Sequence, residues 1–301
     1  MSRSHARRGF TLVELLVVIG IIAVLIGILL PSLSKARKQA NGVACAANLH
    51  SMGQALAIYI SSYHCYPAAY GQGGTTGSDP YAIWPVRLRN VMDGSRKAFW
   101  CPETDPSFMW KPGNNPAVQQ FANSPVAYGY GYEQGESVLQ CNLIQFSYGY
   151  NDWGSAGPTT DPTMAFGLGG DAGWGQFGVA GREPNASEIA KSADCIIITD
   201  VVARTPSAGS FLFNVDPHDP LQSPSKLHYG GSNALFCDGH VSWMKQSELC
   251  LFDTAVYDRS SAYASLDFRL DTPGHPAQSI AQRWNRDNKP HKVDGSLPTG
   301  W

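Results

Sequence analysis

The sequence has 301 residues, enough for one large domain or two ordinary ones with a buried core. Its formal net charge of -2 argues against nucleic acid as a partner, because phosphate binding needs a concentrated basic surface. Only 15% of the residues are charged, and 31 are glycine and 20 proline. This mixture predicts a loop-rich body with β-strands rather than a helical bundle or a disordered chain.

The first nine residues form a short basic segment with three arginines and no acid, typical of a segment kept in the cytoplasm. The stretch from Phe10 to Leu30 is charged only at Glu14. As a helix it would span about 31 Å, which is enough to cross a bilayer once. We therefore predict a transmembrane helix over residues 10–30.

Glu14 is unusual, because an ionised carboxylate inside a bilayer is costly unless it has a partner. A functional interpretation therefore requires a positive group that meets Glu14. The alternative is a simple membrane anchor in which Glu14 lies near the cytoplasmic end and snorkels to the interface.

Beyond Pro31 the sequence keeps a helical period, with apolar residues recurring every three to five positions. This stripe consists of Leu33, Ala36, Ala40, Val43, Ala47, Met52, Leu56 and Tyr59. We predict one helix from about Thr11 to Tyr63. Its first half is apolar on all sides, and its amphipathic continuation over residues 31–64 would pack against a globular head.

Two β-like patterns follow in the body. The segment CIIITD, residues 195–200, predicts a buried strand that ends on an acid. The segment NALFCDGHVSWM, residues 233–244, predicts a hairpin with Asp238 and Gly239 as a type I′ turn. In that hairpin Cys237 and His240 would face each other.

Seven cysteines are spread along the chain without a CxxC pair, so zinc-finger spacing is absent. An odd number cannot be fully paired within one chain. One or two disulfides would suit a body outside the cytoplasm, and the sequence does not select the pairs. Cys45 and Cys65 cannot pair if both lie on one straight helix, since a rise of about 1.5 Å per residue would place them roughly 30 Å apart.

The amino-terminal stretch resembles the type IV prepilin signal. The matching residues are Gly9, Phe10, Thr11, Leu12, Glu14, Leu15 and Leu16, with Pro31 where such pilins commonly have a helix-kinking proline. The resemblance implies that a prepilin peptidase cuts between Gly9 and Phe10 and methylates the new amine of Phe10. It also implies that this amine meets Glu14 of a neighbouring subunit during assembly.

The body resembles the H-X9-DG family, also called DUF1559, of prepilin-like proteins. Its signature is matched by His228, nine further residues, and then Asp238 and Gly239. Three other family elements are matched at residues 99–102 (FWCP), 147–151 (SYGYN) and 196–200 (IIITD).

These features predict a pilin-like α+β fold, with a long N-terminal helix packed on an antiparallel β-sheet head that has long loops. The expected organisation is a leader (1–9), a transmembrane helix (10–30), its amphipathic continuation (31–64), a head (65–250) and a C-terminal extension (251–301). The chain would be anchored once in the inner membrane with its head outside the cytoplasm, and would later lie in a periplasmic or cell-surface filament.

The resemblance implies a structural subunit of a type II secretion or type IV pilus-related filament. Its partners would be the prepilin peptidase, the inner membrane and other pilin-like subunits, and we expect neither enzymatic activity, cofactor nor nucleic acid. The alternative is a membrane-tethered binding protein for a glycan or surface partner, which would use the leader only for targeting.

Three further hypotheses concern the head. His228, Asp238, His240 and Asp200 are weak candidates for a metal site that would suit zinc better than calcium, although the turn alone explains Asp238. Cys237 and His240 could act as nucleophile and base, but a buried hydrophobic cysteine is the commoner role. The aromatic residues Trp110, Tyr128, Tyr130, Tyr132, Tyr148, Tyr150, Trp153 and Trp174 could equally form a binding surface or fill the core.

Overall fold

The computed structural model describes residues 12–67, 69–72, 81–106, 109–110, 131–135, 146–151, 167–168, 183–201, 214–215, 217, 223–251 and 276–290. The chain divides into two compact units, residues 1–41 and 42–301. In the first unit the described residues form the start of one long helix. In the second they form the rest of that helix and an α+β head.

The long helix α1 runs from Leu12 to Tyr63, with Pro31 inside it. This confirms the predicted helix over its described residues. Residues 12–40, the exposed part of α1, have no buried side chain. By length and composition, α1 includes a stretch that is apolar enough to cross a membrane.

Residues 42–63, the packed part of α1, bury one face in the core of the head. The buried side chains there are Cys45, Leu49, Met52, Ala55, Leu56 and Tyr59. Alternating steps of four and three residues, from 45 to 49, 52, 56 and 59, keep this face on one side of the helix. In the packed part the predicted stripe was wrong at Val43, which is 67% exposed, and at Ala47, which is also exposed, because Cys45 and Leu49 point inward instead.

The main sheet has the strand order β5-β3-β4-β6-β7. Its strands are β3 (Tyr148–Asn151), β4 (Ile196–Asp200), β5 (Asn214–Val215), β6 (Gly231–Phe236) and β7 (Val241–Lys245). β3, β4, β6 and β7 pair antiparallel, and β5 adds a short parallel edge to β3. The long helix packed on this four-strand antiparallel sheet confirms the predicted pilin-like α+β fold, and β4 matches the predicted strand.

Smaller elements precede the main sheet. Strands β1 (Tyr70–Gln72) and β2 (Tyr81–Ile83) pair antiparallel and lead into helix α2 (Trp84–Val91). A short 3-10 helix, Lys97–Phe99, follows α2. The buried Trp84 ring of α2 contacts Phe99, Phe146 and Tyr150, so these elements cover the same core as α1.

The sheet is covered on both faces. On one face the packed part of α1 joins Tyr148, Tyr150 and Leu235 in the larger core. On the other, Ala234 and Phe236 contribute to a second core with helix α3 (Pro276–Trp284). Neighbouring residues of β6 point to opposite faces, as the pleat requires. The described part of the predicted C-terminal extension therefore packs on the sheet.

The β6–β7 hairpin is present, but its predicted turn type was wrong. Gly239 has φ +92°, whereas Asp238 has no positive φ. The Gly239 amide donates to the Phe236 carbonyl, and the Phe236 amide to the His240 carbonyl. This is the three-residue loop in which a type I turn is followed by a left-handed glycine. The His240 ring consequently stacks on Phe236 and does not face Cys237.

The aromatic residues that the structure describes favour the core interpretation. Trp110, Tyr132, Tyr148 and Tyr150 are all buried. The remaining members of the set, Tyr128, Tyr130, Trp153 and Trp174, lie outside the described residues. Because the four described side chains lie in the larger core, they do not offer a binding surface.

Candidate functional site

The first site predicted from the sequence is the amino-terminal processing segment. Gly9 and Phe10 lie outside the described residues. Glu14 lies in the first turn of α1, where a negative side chain is favoured by the partial positive charge of a helix N-terminus. Its side chain is exposed, as are its apolar neighbours.

The signature residues of the head lie in two different environments. His228 is buried, whereas Asp238 lies on the partly exposed β6–β7 turn. Asp238 Oδ1 accepts the His240 backbone amide at 3.1 Å and lies 2.6 Å from His240 Nδ1. Partial burial raises the pKa of Asp238, but the bonds to His240 outweigh this and lower the pKa overall. Asp238 and His240 thus fix the turn locally.

Among the residues that the structure describes, one group of reactive side chains is buried where α1 meets the head. Cys45 Sγ, Cys101 Sγ and one ring nitrogen of His228 all lie within 4.8 Å of one another. Cys101 Sγ is 3.4 Å from His228 Nε2. The two thiols have no exposed surface, and His228 is only 3% exposed. We call these three residues the Cys45–Cys101–His228 cluster.

Each member of the cluster is held by its own local structure. Cys45 belongs to the buried face of α1. Cys101 begins a turn after the 3-10 helix, and its carbonyl accepts hydrogen bonds from both the backbone amide and the hydroxyl of Thr104. The carbonyl of His228 accepts the Trp243 indole N–H at 2.7 Å.

A tight turn places His228 immediately before β6. Tyr229 and Gly230 have φ values of +56° and +82°, and the backbones of His228 and Gly231 exchange hydrogen bonds across the turn. Two successive positive φ values are characteristic of a type I′ turn, and glycine adopts them without steric cost. The sequence predicted a type I′ turn at Asp238 and Gly239. The structure instead has a turn of this type at Tyr229 and Gly230.

Asp200, the last residue of β4, lies beside the cluster. One carboxylate oxygen is 3.7 Å from Cys45 Sγ, and the other is 3.7 Å from His228 Nε2. The carboxylate also accepts the Ser225 hydroxyl at 2.6 Å and the Asn233 amide at 2.7 Å. The side chain is fully buried and its orientation is fixed from two sides.

Burial disfavours the charged forms of Cys45 and of the neighbouring Asp200. Burial raises the pKa of the Cys45 thiol well above its usual value, and proximity to Cys101 and Asp200 adds to this. Burial also raises the pKa of Asp200, although His228 and the hydrogen bonds from Ser225 and Asn233 act against it. For His228, burial lowers the pKa, but contact with Cys45 and Asp200 outweighs it and the pKa is raised.

The structure changes the set of metal candidates. It brings His228 and Asp200 together, whereas Asp238 and His240 contact each other on the turn. The sequence analysis missed Cys45 and Cys101, which are far from His228 along the chain. Only the helical period could have signalled Cys45, because it falls on the buried face of α1.

The nucleophile hypothesis for Cys237 does not fit the geometry. His240 Nδ1 is engaged with Asp238, and its ring stacks on Phe236. Burial raises the pKa of the Cys237 thiol well above its usual value, and the neighbouring Cys195 raises it further. A catalytic thiol needs the opposite environment, one that stabilises the thiolate.

Comparison with known proteins supports the amino-terminal interpretation. Residues 4–30 match the family model described as the prokaryotic N-terminal methylation motif. The chain is 54% identical over 43 residues to the type IV wide pilus major component PilA4 of Thermus thermophilus. That alignment covers 14% of this chain and 33% of the relative, so the chain spans only a third of the length of the curated protein it matches. No solved structure matches the chain. The chain thus carries a prepilin-type N-methylation motif and is, over a short region, a distant homologue of a type IV pilin.

Proposed function

We propose that this protein is a pilin-like structural subunit that is processed by prepilin peptidase and assembled into a type II secretion or type IV pilus-related filament. The observation that carries the proposal is the match of residues 4–30 to the N-terminal methylation motif, which includes the apolar start of the long helix α1. The motif implies cleavage between Gly9 and Phe10 and methylation of Phe10.

The exposed part of α1 supports polymerisation. Its apolar side chains, from Leu12 to Leu33, are largely uncovered in the single chain. A continuous apolar surface of this size needs a lipid or protein environment. A membrane supplies that environment before assembly, and the helices of neighbouring subunits supply it in a filament.

Glu14 would then help to set the axial position of each subunit relative to its neighbours. After cleavage, the amine of Phe10 and the carboxylate of Glu14 of a neighbouring subunit are opposite charges in a medium of low dielectric constant. Their attraction is strong at short range, but both groups lose hydration on burial. The pair therefore selects the axial register of subunits more than it adds net stability.

The proposal also covers the family of the head, the domain boundaries and the location of the chain. We propose that the head belongs to the H-X9-DG family, because it resembles that family at His228, Asp238 and Gly239. The domain boundaries are those expected from the sequence, with a leader, a membrane helix, its continuation, a head and a C-terminal extension. The head would lie outside the inner membrane, and the chain would perform no reaction of its own.

The first experiment is intact mass and amino-terminal peptide mass of the protein from its native membrane, with and without prepilin peptidase. We expect a chain that begins at N-methylated Phe10 when the peptidase is present and an uncut chain when it is absent. An uncut chain in both samples would contradict entry into the pilin pathway.

Assembly is tested separately with Glu14→Gln, which keeps the size of the side chain and removes its charge. We expect normal cleavage but a large loss of sedimentable filaments, because the amine of Phe10 has lost its partner. Lys38→Gln is the matched control, since it removes a charge from an exposed position of the same helix. If Glu14→Gln changes neither filaments nor function, the membrane-tethered binding protein becomes the better description.

A further inference from the structure

We propose that Cys45, Cys101 and His228, with Asp200 as the fourth ligand, bind a zinc ion that fastens the packed part of α1 to the head. The three residues of the cluster come from helix α1, the turn after the 3-10 helix and the tight turn before β6. Cys101 and His228 are 127 residues apart in sequence, and Cys45 and Asp200 are 155 residues apart. One ion would therefore join segments that are distant along the chain.

The donor atoms select the class of metal. Two cysteine sulfurs, one imidazole nitrogen and one carboxylate oxygen form a set that suits zinc, a borderline-soft divalent ion. Calcium and magnesium prefer oxygen ligands and would leave the sulfurs unused. Cys45, Cys101 and Asp200 are fully buried and His228 is nearly so, and an ion held among them would be closed off from solvent, as in structural zinc sites.

The distances agree with tetrahedral coordination. Zinc bonds of about 2.0–2.3 Å place neighbouring donor atoms roughly 3.3–3.8 Å apart. The distance from Cys101 Sγ to His228 Nε2 is 3.4 Å, and the donor atoms of Cys45, Cys101 and His228 all lie within 4.8 Å of one another. Asp200 Oδ1 lies 3.7 Å from Cys45 Sγ, and the other oxygen, Oδ2, lies 3.7 Å from His228 Nε2. Cys101 and His228 thus already lie at the separation that a bound ion would impose, and Asp200 would coordinate it after a rotation that turns one oxygen toward the ion.

The surroundings of the cluster also fit a ligand set. Ligating carboxylates are usually held by further hydrogen bonds, and Asp200 receives them from Ser225 and Asn233. The Tyr148 hydroxyl, which accepts a hydrogen bond from Asn48, interacts with Cys45. A bound zinc ion would stabilise the thiolate forms of both cysteines, because a coordinating thiol is deprotonated by the metal.

Burial also explains what such an ion would do. The two cysteines and Asp200 have no exposed surface, so no position is open for a substrate. A closed site contributes to folding rather than to catalysis, because it forms only when its ligands are brought together. We therefore expect the ion to stabilise the contact between the packed part of α1 and the head.

The test begins with metal analysis of the full-length chain purified in detergent under reducing conditions. We expect a single zinc ion per chain in the unaltered protein and loss of that ion in Cys101→Ser and His228→Gln. The matched controls are Cys65→Ser and His240→Gln, which alter a thiol and an imidazole outside the cluster and should keep the zinc. Equal loss of zinc in variants and controls would overturn the proposal.

A second measurement covers the case in which the cluster variants do not fold. Zinc is removed from the unaltered chain with a chelator and replaced by cobalt(II), which has visible and near-ultraviolet absorption characteristic of tetrahedral thiolate coordination. We expect this spectrum and its loss when zinc is added back. A chain that takes up neither metal would contradict the proposal.

Cys45 and Cys101 could instead form a disulfide, which would also join α1 to the head. Intact mass under non-reducing conditions distinguishes the two arrangements, because a disulfide removes two hydrogen atoms. A peptide linking Cys45 to Cys101 in protein from its native membrane would overturn the zinc site.

Hydrogen exchange tests the proposed role of the ion. Chelation should speed exchange of backbone amides around Cys45 and Leu49 more than those around Ile197 in the centre of the sheet. Unchanged exchange in α1 after complete zinc removal would show that the ion does not fasten the helix. Because none of these readouts depends on cleavage or on filaments, failure of the zinc proposal is distinguishable from failure of the proposed assembly function.

Discussion

The two parts of α1 belong to one uninterrupted helix but meet different surroundings. In residues 12–40 no side chain is buried within the chain, whereas residues 42–63 bury a continuous face in the larger core. Within the exposed part, residues 12–30 are apolar on all sides apart from Glu14, and a surface of this kind needs a lipid or protein environment. The packed part is amphipathic, and its partner is the head of the same chain.

The comparison shows that different properties of the side chains matter in the two parts of this helix. In the exposed part, overall apolarity and the single acid Glu14 determine where the helix can lie. In the packed part, the particular shape and chemistry of each inward side chain matter, because those side chains meet a close-packed core. Substitutions of the same type should therefore affect the stability of the head very differently in the two parts.

The largest expected difference comes from removing a buried leucine. Leu49 is fully buried, so Leu49→Ala should lower the free energy of unfolding of the head by about 2–5 kcal/mol through lost apolar contact and a residual cavity. The measurement is denaturant unfolding of the full-length chain in detergent, followed by the fluorescence of the buried Trp84 and Trp284.

Leu25→Ala is the control in the exposed part, and Val43→Ala is the control in the packed part. Both side chains are largely exposed, so each change should alter head stability by no more than about 0.5 kcal/mol. If Leu25→Ala were as destabilising as Leu49→Ala, the division of α1 into two parts would be wrong.

A smaller difference is expected at two glycines. A Cβ atom at Gly53 would lie 2.9 Å from Leu235 Cδ1 and 3.4 Å from the Gly239 carbonyl, whereas one at Gly27 would meet nothing within 4 Å. Gly53→Leu should therefore destabilise the head by about 1–3 kcal/mol through overpacking. Gly27→Leu should leave head unfolding unchanged. A tolerated leucine at position 53 would contradict the close packing of α1 on the hairpin turn.

Much of the fold could be predicted from the sequence because its strongest signals are local. The helix from Thr11 to Tyr63 and the strand that ends at Asp200 follow from apolar period and run length. The β6–β7 hairpin was also predicted, but its turn type was not. Gly239 can adopt the backbone conformation that either turn type requires at this position. Which turn forms depends on the pairing between Phe236 and His240, and the local sequence does not specify that pairing.

The buried face of α1 and the Cys45–Cys101–His228 cluster were harder to predict for related reasons. The period of apolar residues allowed more than one stripe, and packing against the head selected Cys45 and Leu49 rather than Val43. The cluster then combines this cysteine with Cys101 and His228, which no spacing motif connects. The sequence analysis found no zinc-finger spacing, and its weak metal candidates included neither cysteine, because a cluster of this kind depends on tertiary structure.

The smallest expected effect concerns a hydrogen bond rather than packing. Asn48 Nδ2 donates to the Trp100 carbonyl at 3.0 Å and to the Tyr148 hydroxyl at 3.2 Å, so it joins the packed part of α1 to the residue before Cys101. Asn48→Ala should cost about 1 kcal/mol of unfolding free energy, since the net value of a hydrogen bond is modest.

The nearby exposed His50 provides the control, since His50→Ala removes a polar side chain from the outer face of the same helical turn. Denaturant unfolding should separate the two variants by about 1 kcal/mol. Zinc retention adds a second readout, because weaker positioning of Cys101 should make the ion easier to remove with a chelator in Asn48→Ala than in His50→Ala. If both variants match the unaltered protein in stability and zinc retention, apolar packing alone holds the helix and Asn48 has no part in fixing it to the head.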